Sequence, residues 1–179
     1  MPAAEDPLTT DCLASSSVAP LAFDSQGRPV TSVLFACTYN GIRSPMAEAL
    51  LRWKAGRRLY VDSVGVKLGD IDPFVVAVMA EWGLDLQTHQ CKTFEQLDDA
   101  SFDLIITLSP EAQHRAVELT RTRACEVEYW KTLDPTAVPG NREARLEAFR
   151  QVRDGILHRL IQRFPGLAAG SVEKYSAPE

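Results

Sequence analysis

The chain has 179 residues, 45% hydrophobic and 24% charged, the proportions of one ordinary globular domain with a core of its own. Its net charge of -5 gives no electrostatic footprint for nucleic acid and argues against a membrane-surface role. Cys12, Cys37, Cys91 and Cys125 are too dispersed for a zinc or thioredoxin-type C-x-x-C pair or a disulfide framework, so a reducing compartment is the simpler reading.

Met1 to Asp6 is acidic and lacks the basic region of a secretory signal, and no apolar run approaches the ~20 residues of a membrane span. The expected location is the cytoplasm. Residues 1–29 read as a flexible leader, with Leu21-Ala22-Phe23 as the stretch able to pack and Asp24 to Gly27 as a turn. Val30 to Ala36 is a nearly continuous apolar run, as in a strand buried on both faces of a parallel sheet.

Ser44 to Gly56 follows as a helix, with Pro45 in its first turn and Met46, Ala49, Leu50 and Trp53 on one face. Ser44 suits a helix cap. Leu59 to Val64 is the second strand, and Gly65 to Asp72 a loop. Asp72-Pro73 opens a helix that Gly83 ends, and a short helix is expected over Thr93 to Leu97. Trp53 and Trp82 belong to core-facing helix surfaces.

Phe102 to Leu108 is the third strand. Ser109 caps a helix to Thr120, and Cys125 to Trp130 alternates as a fourth strand at a sheet edge. A loop through Asp134-Pro135 leads to a last helix, Arg142 to Phe164, which Pro165-Gly166 stops. Strands alternating with helices predict an α/β, three-layer sandwich: a four-stranded parallel sheet with helices on both faces. One domain over 30–165 and a loose tail over 166–179 complete the organisation.

Cys37 ends the first strand, where ligands of such sheets bind. Five residues separate it from Arg43. A strand that passes through a short loop into a helix makes an anion cradle from loop N–H groups and the helix N-terminus. Thiolate, the nucleophilic form of cysteine, is favoured near helix N-termini and cations. A cysteine nucleophile attacking a phosphate-like oxyanion is the first expectation.

The run Cys37-Thr38-Tyr39-Asn40-Gly41-Ile42-Arg43-Ser44, followed by Met46-Ala47-Glu48, Ser63-Val64-Gly65, Asp134-Pro135 and the long closing helix, resembles the low-molecular-weight protein tyrosine phosphatase family, which includes the thioredoxin-coupled arsenate reductases. The resemblance covers roughly Val33 to Phe164. It implies Cys37 as nucleophile, with Arg43 as a bidentate clamp on two equatorial oxygens. The N–H groups from Thr38 through Tyr39, Asn40, Gly41 and Ile42 to Arg43 would complete the cradle. Asn40 is a residue type that tolerates positive φ, and Gly41 adds freedom beside it. Ser44 would help the thiolate leave, and Asp134 would act as general acid, then base. No metal or cofactor is implied. Phosphorylated proteins or small phosphomonoesters are the implied partners, with phosphate or arsenate as possible oxyanion ligands.

The chain departs from the family at several positions. Ile42 stands where many members carry a second loop cysteine. Ser109 and Ala116 stand where the arsenate reductases carry resolving cysteines. Thr136-Ala137 replaces tyrosines of the eukaryotic-type enzymes, Lys67 to Ile71 lacks an aromatic residue, and Tyr39 is an unusually bulky loop residue. His89 reads as structural or exposed rather than catalytic, and Cys91 and Cys125 as inert rather than as redox partners of Cys37. Three functions remain open: an aryl phosphatase, an arsenate reductase that uses Cys37 with an external thiol, and a catalytically weak phospho-ligand binding module.

Overall fold

The computed structural model of the protein describes residues 19–97 and 101–168. The rest of the leader and most of the tail fall outside the described residues. The eight regular elements are β1 (Ser32–Cys37), α1 (Arg43–Ala55), β2 (Tyr60–Gly65), α2 (Pro73–Ala80), β3 (Leu104–Thr107), α3 (Pro110–Leu119), β4 (Glu126–Tyr129) and α4 (Arg142–Arg163). The four strands form one sheet in the order β2-β1-β3-β4, and every neighbouring pair is parallel. The predicted sheet and its helical layers are therefore present.

β1 is central, and its residues from Val33 to Cys37 are buried, which explains an apolar run without alternation. Its side chains divide by pleat. Val33, Phe35 and Cys37 join one core cluster with Met46 and Leu50 of α1, Val75 and Val78 of α2, and Phe149 and Ile156 of α4. Leu34 and Ala36 join the opposite cluster with Ala112 and Ala116 of α3. Burying β1 on both faces fixes its register, and with it the point where Cys37 leaves the sheet.

β4 lies at the edge, where the two glutamates of Glu126-Val127-Glu128 are accommodated. Asp72, Ser109 and Asn141 cap α2, α3 and α4 by accepting from Phe74, Ala112 and Ala144 N–H. The short helix expected after Thr93 is a single turn, Phe94–Gln96, held by a capping box. Trp53 and Trp82 are part-buried, with ring centroids 6.1 Å apart.

Of the Leu21-Ala22-Phe23 stretch read as able to pack, Leu21 and Ala22 are buried and Phe23 is exposed. Val30 N–H donates to Ala22 O at 3.0 Å, so residues 22–30 fold back on themselves and β1 starts only at Ser32. Asp24 closes this loop, accepting from Arg28 N–H and pairing with the Arg28 guanidinium at 2.7 Å. At the other end, Gly166 N–H donates to Leu21 O at 3.2 Å, and Leu167 is buried. These local pairings tie the segment before β1 to the end of α4. Sequence periodicity does not register them.

Candidate active site

Between β1 and α1 the backbone makes a tight loop, with Asn40 at φ 54, the one non-glycine residue at positive φ among the described residues. The N–H groups of Tyr39, Asn40, Gly41 and Ile42 donate to no protein group among the described residues. α1 begins at Arg43, and its cap residue Ile42 offers no side-chain bond to the first turn. These amides and the α1 N-terminus converge where Cys37 ends β1. Such a nest suits an anion.

Gly41 differs from expectation. Its φ is not positive, so it supplies space rather than conformational freedom. A Cβ there would lie 2.3 Å from the Asp70 carbonyl oxygen. Asp72 N–H donates back to Gly41 O at 3.0 Å, so the 69–72 segment is locked against the cradle.

Ser44 also differs. It lies within α1 and is fully buried, so it does not cap the helix. Its Oγ lies 3.0 Å from Cys37 Sγ, accepts from Asn40 Nδ2 at 2.9 Å and donates to Val64 O at 3.2 Å. Asn40 Nδ2 also donates to Ser63 Oγ at 2.8 Å, and Ser63 Oγ donates to the buried Glu48 carboxylate. Asn40 Oδ1 accepts from Lys92 N–H at 3.0 Å and meets His89 Nε2 at 3.2 Å. The strained loop residue is thus held on both ends of its amide.

Sequence reasoning missed this buttress. Its members Asn40, Ser44, Glu48 and Ser63 all lie in the runs that carry the family resemblance, but their contacts with one another and with His89 and Lys92 have no sequence signal. Burial raises the Glu48 carboxyl above its ordinary value, against the opposing effects of the Ser63 hydrogen bond and Arg52, whose guanidinium lies 2.6 Å away. Burial lowers His89 below the usual imidazole value, and Lys92 adds to that. Cys91 Sγ donates to Asn40 O at 3.0 Å, and burial pushes its thiol up. His89 therefore has the structural setting expected of it.

Above Cys37 opens a cavity of about 350 Å³, lined by Cys37, Tyr39, Ile42, Arg43, Ile71 and Asp134 among others. Arg43 Nη1 donates to Thr132 O at 3.1 Å and, more weakly, to Leu108 O at 3.4 Å, so carbonyls beyond β3 and β4 set the guanidinium. Its Nη2 lies 3.3 Å from Asp134 Oδ2. Asp134 Oδ1 accepts from Thr136 N–H at 3.0 Å and from Thr136 Oγ1 at 2.6 Å, capping the Pro135–Ala137 turn. One carboxylate oxygen shapes the loop while the other faces the cavity. Cys37, Arg43 and Asp134, which are widely separated in sequence, line one cavity; Ser44 stands behind the sulfur.

A parallel α/β sheet whose central strand ends in a cysteine above a nest of free amides, with an arginine at the following helix start, defines a phosphate-cradle protein. The chain belongs to the low molecular weight phosphotyrosine protein phosphatase family, whose model matches residues 32–172. It is 32% identical over 130 residues to an arsenate reductase of Bacillus subtilis, covering 72% of this chain and 91% of that protein. The tyrosine phosphatase AmsI of Erwinia amylovora shares the fold with a TM-score of 0.62 at 24% identity, covering 80% of this chain and 96% of that one. The arginine phosphatase YwlE, a Bacillus subtilis protein, also superposes with a TM-score of 0.62 at 24% identity, covering 77% and 96%. Among the described residues, no helix is long and apolar enough to cross a membrane.

Proposed function

We propose that the chain is a phosphatase hydrolysing phosphotyrosine or other aryl and small phosphomonoesters through a cysteinyl-phosphate on Cys37. The observation that carries this reading is Asp134, which lines the Cys37 cavity and turns Oδ2 toward Arg43. Ester cleavage needs a proton donor for the leaving oxygen, and a carboxyl group lining the same cavity as Cys37 supports Asp134 in that role.

In the first step Cys37 Sγ attacks phosphorus, the P–O bond to the leaving group breaks, and Asp134 protonates the departing oxygen. The cradle amides and Arg43 hold the equatorial oxygens as charge redistributes. In the second step Asp134 takes a proton from water, the water oxygen attacks phosphorus, and the S–P bond breaks to return thiolate and inorganic phosphate. Ser44 Oγ, 3.0 Å from the sulfur, donates to the departing thiolate. Hydrolysis of an aryl phosphate that disappears in Cys37→Ser supports the reading. Activity that survives the change overturns it.

The partner is then a phosphorylated protein or a small phosphomonoester, in a reducing, cytoplasmic setting. The free thiols of Cys37, Cys91 and Cys125 support that setting.

A second reading has a specific observation behind it: the relative from Bacillus subtilis is named an arsenate reductase. An internal thiol relay has little support. Ser109 caps α3, and Ala116 is fully buried within it, where the sequence places the resolving cysteines of that branch. Arsenate reduction here would draw on an external thiol. Arsenate-dependent thiol consumption tests it, and no turnover with glutathione or thioredoxin removes it.

A further inference from the structure

The five residues between Cys37 and Arg43 point in different directions. Thr38 Oγ1 turns to Glu111, Asn40 is fully buried, Gly41 has no side chain, and Ile42 packs against the core. Tyr39 alone projects a large side chain outward, half exposed, at the lip of the cavity.

The surroundings of Tyr39 are built to keep it there. The 66–72 segment crosses close behind it. A Cβ at Gly69 would lie 2.8 Å from both the Cβ and the carbonyl oxygen of Tyr39, so a side chain at 69 is incompatible with this position. Lys67 N–H donates to Thr38 O at 2.8 Å, fixing the two segments together, and Lys67 Nζ stands 5.9 Å from the Tyr39 ring centroid. Ile42 and Ile71 supply apolar wall within the same cavity, and Asp134 supplies its proton donor.

We propose that Tyr39 is a specificity-determining residue of this site, its ring forming the wall against which the aryl group of an aryl phosphomonoester packs. The inference rests on reading the cradle as an oxyanion site. With phosphorus at Cys37, the ester oxygen must exit through the cavity that Tyr39 borders. A flat apolar leaving group meets an aromatic face and two isoleucines there. A hydroxylated or alkyl leaving group gains no comparable contact. The 67–71 segment carries no aromatic residue, so the aromatic wall comes from the cradle loop itself.

The test uses phenylphosphonate and methylphosphonate, which share the anion but are not hydrolysed, with binding to the full chain measured by calorimetry. An aromatic contact predicts a phenyl-over-methyl preference of about five- to tenfold. Tyr39→Phe keeps that preference, and Tyr39→Leu lowers it by about two- to fivefold, leaving the share that Ile42 and Ile71 supply. Equal binding of the two phosphonates by the unaltered chain, or a preference undiminished in Tyr39→Leu, overturns the inference and leaves the phosphatase reading standing. Failure of both phosphonates and of inorganic phosphate to bind overturns both readings.

Discussion

Cys37 Sγ lies 3.0 Å from Ser44 Oγ, and that hydroxyl has a single proton to place. Asn40 Nδ2 donates to Ser44 Oγ, so the Ser44 proton can go only to Val64 O or to the sulfur. A thiolate can only accept. As the S–P bond breaks and charge develops on sulfur, rotation of one hydroxyl supplies a donor to it. Hydrogen bonds to charged groups are worth ~1.5–3 kcal/mol. Ser44→Ala is therefore expected to slow thiolate release by about 10- to 100-fold. Rapid-mixing kinetics with an aryl phosphate should show a burst of phenol followed by a slow steady state. A uniform slowing without a burst contradicts this role.

Asp134 is expected to act on the leaving oxygen. Asp134→Asn keeps a side chain able to accept from Thr136 but cannot deliver the proton. General acid catalysis contributes about 100- to 10,000-fold. The kcat loss should grow as the leaving-group pKa rises and shrink for an activated phenol. A loss independent of the leaving group assigns Asp134 to the turn and to Arg43 alone.

Asn40 combines a positive φ with four side-chain hydrogen-bond contacts, to Ser44, Ser63, Lys92 and His89. Asn40→Ala keeps a Cβ-bearing residue in the left-handed region, at ~1–2 kcal/mol relative to glycine and without the local side-chain bonds that let asparagine tolerate it, and strips partners from buried groups. Asn40→Gly removes the same bonds but relieves the backbone. Thermal unfolding should rank the original chain above Asn40→Gly, and Asn40→Gly above Asn40→Ala, with both variants slow in turnover. Equal melting temperatures contradict the buttress.

Glu48 carries a pH signature. Burial raises its folded value above the unfolded reference of 4.5, so the native state holds this proton more tightly than the unfolded chain. That contribution is complete below the unfolded value and is lost as pH rises through the folded one. Glu48→Gln cannot titrate. Its melting temperature should therefore gain on that of the original chain as pH rises above the unfolded value of 4.5. His89, lowered by burial, has the opposite sign: its contribution is present above its unfolded value of 6.5 and is lost as pH falls through the folded one. It is common to both proteins and cancels. A constant difference across the range contradicts the buried-carboxyl account.

Much of this was legible in the sequence because it is encoded locally. The unbroken apolar run of β1, the capping residues Asp72 and Ser109, and the order Cys37, Arg43, Ser44, Asp134 need only short windows and chain order. The rest depends on contacts between distant segments. His89 and Lys92 reach Asn40 across 49 and 52 residues, and no local pattern announces that meeting. Ser44 looked like a cap because its residue type and position suit one, yet α1 starts a residue earlier and the hydroxyl turns to the sulfur. Gly41 reads as added backbone freedom beside Asn40, whereas the Asp70 carbonyl decides its size. Leu21 and Ala22 sat in a polar, proline-containing stretch whose burial depends on the end of α4.

The most direct measurement is rapid quenching of the Ser44→Ala protein after mixing with an aryl phosphate, followed by mass spectrometry of the peptide containing Cys37. The account predicts one phosphoryl group on Cys37, formed within the burst and absent from the same peptide of Cys37→Ala or from protein mixed with the free phenol. Phenol release with Cys37 unmodified throughout contradicts it.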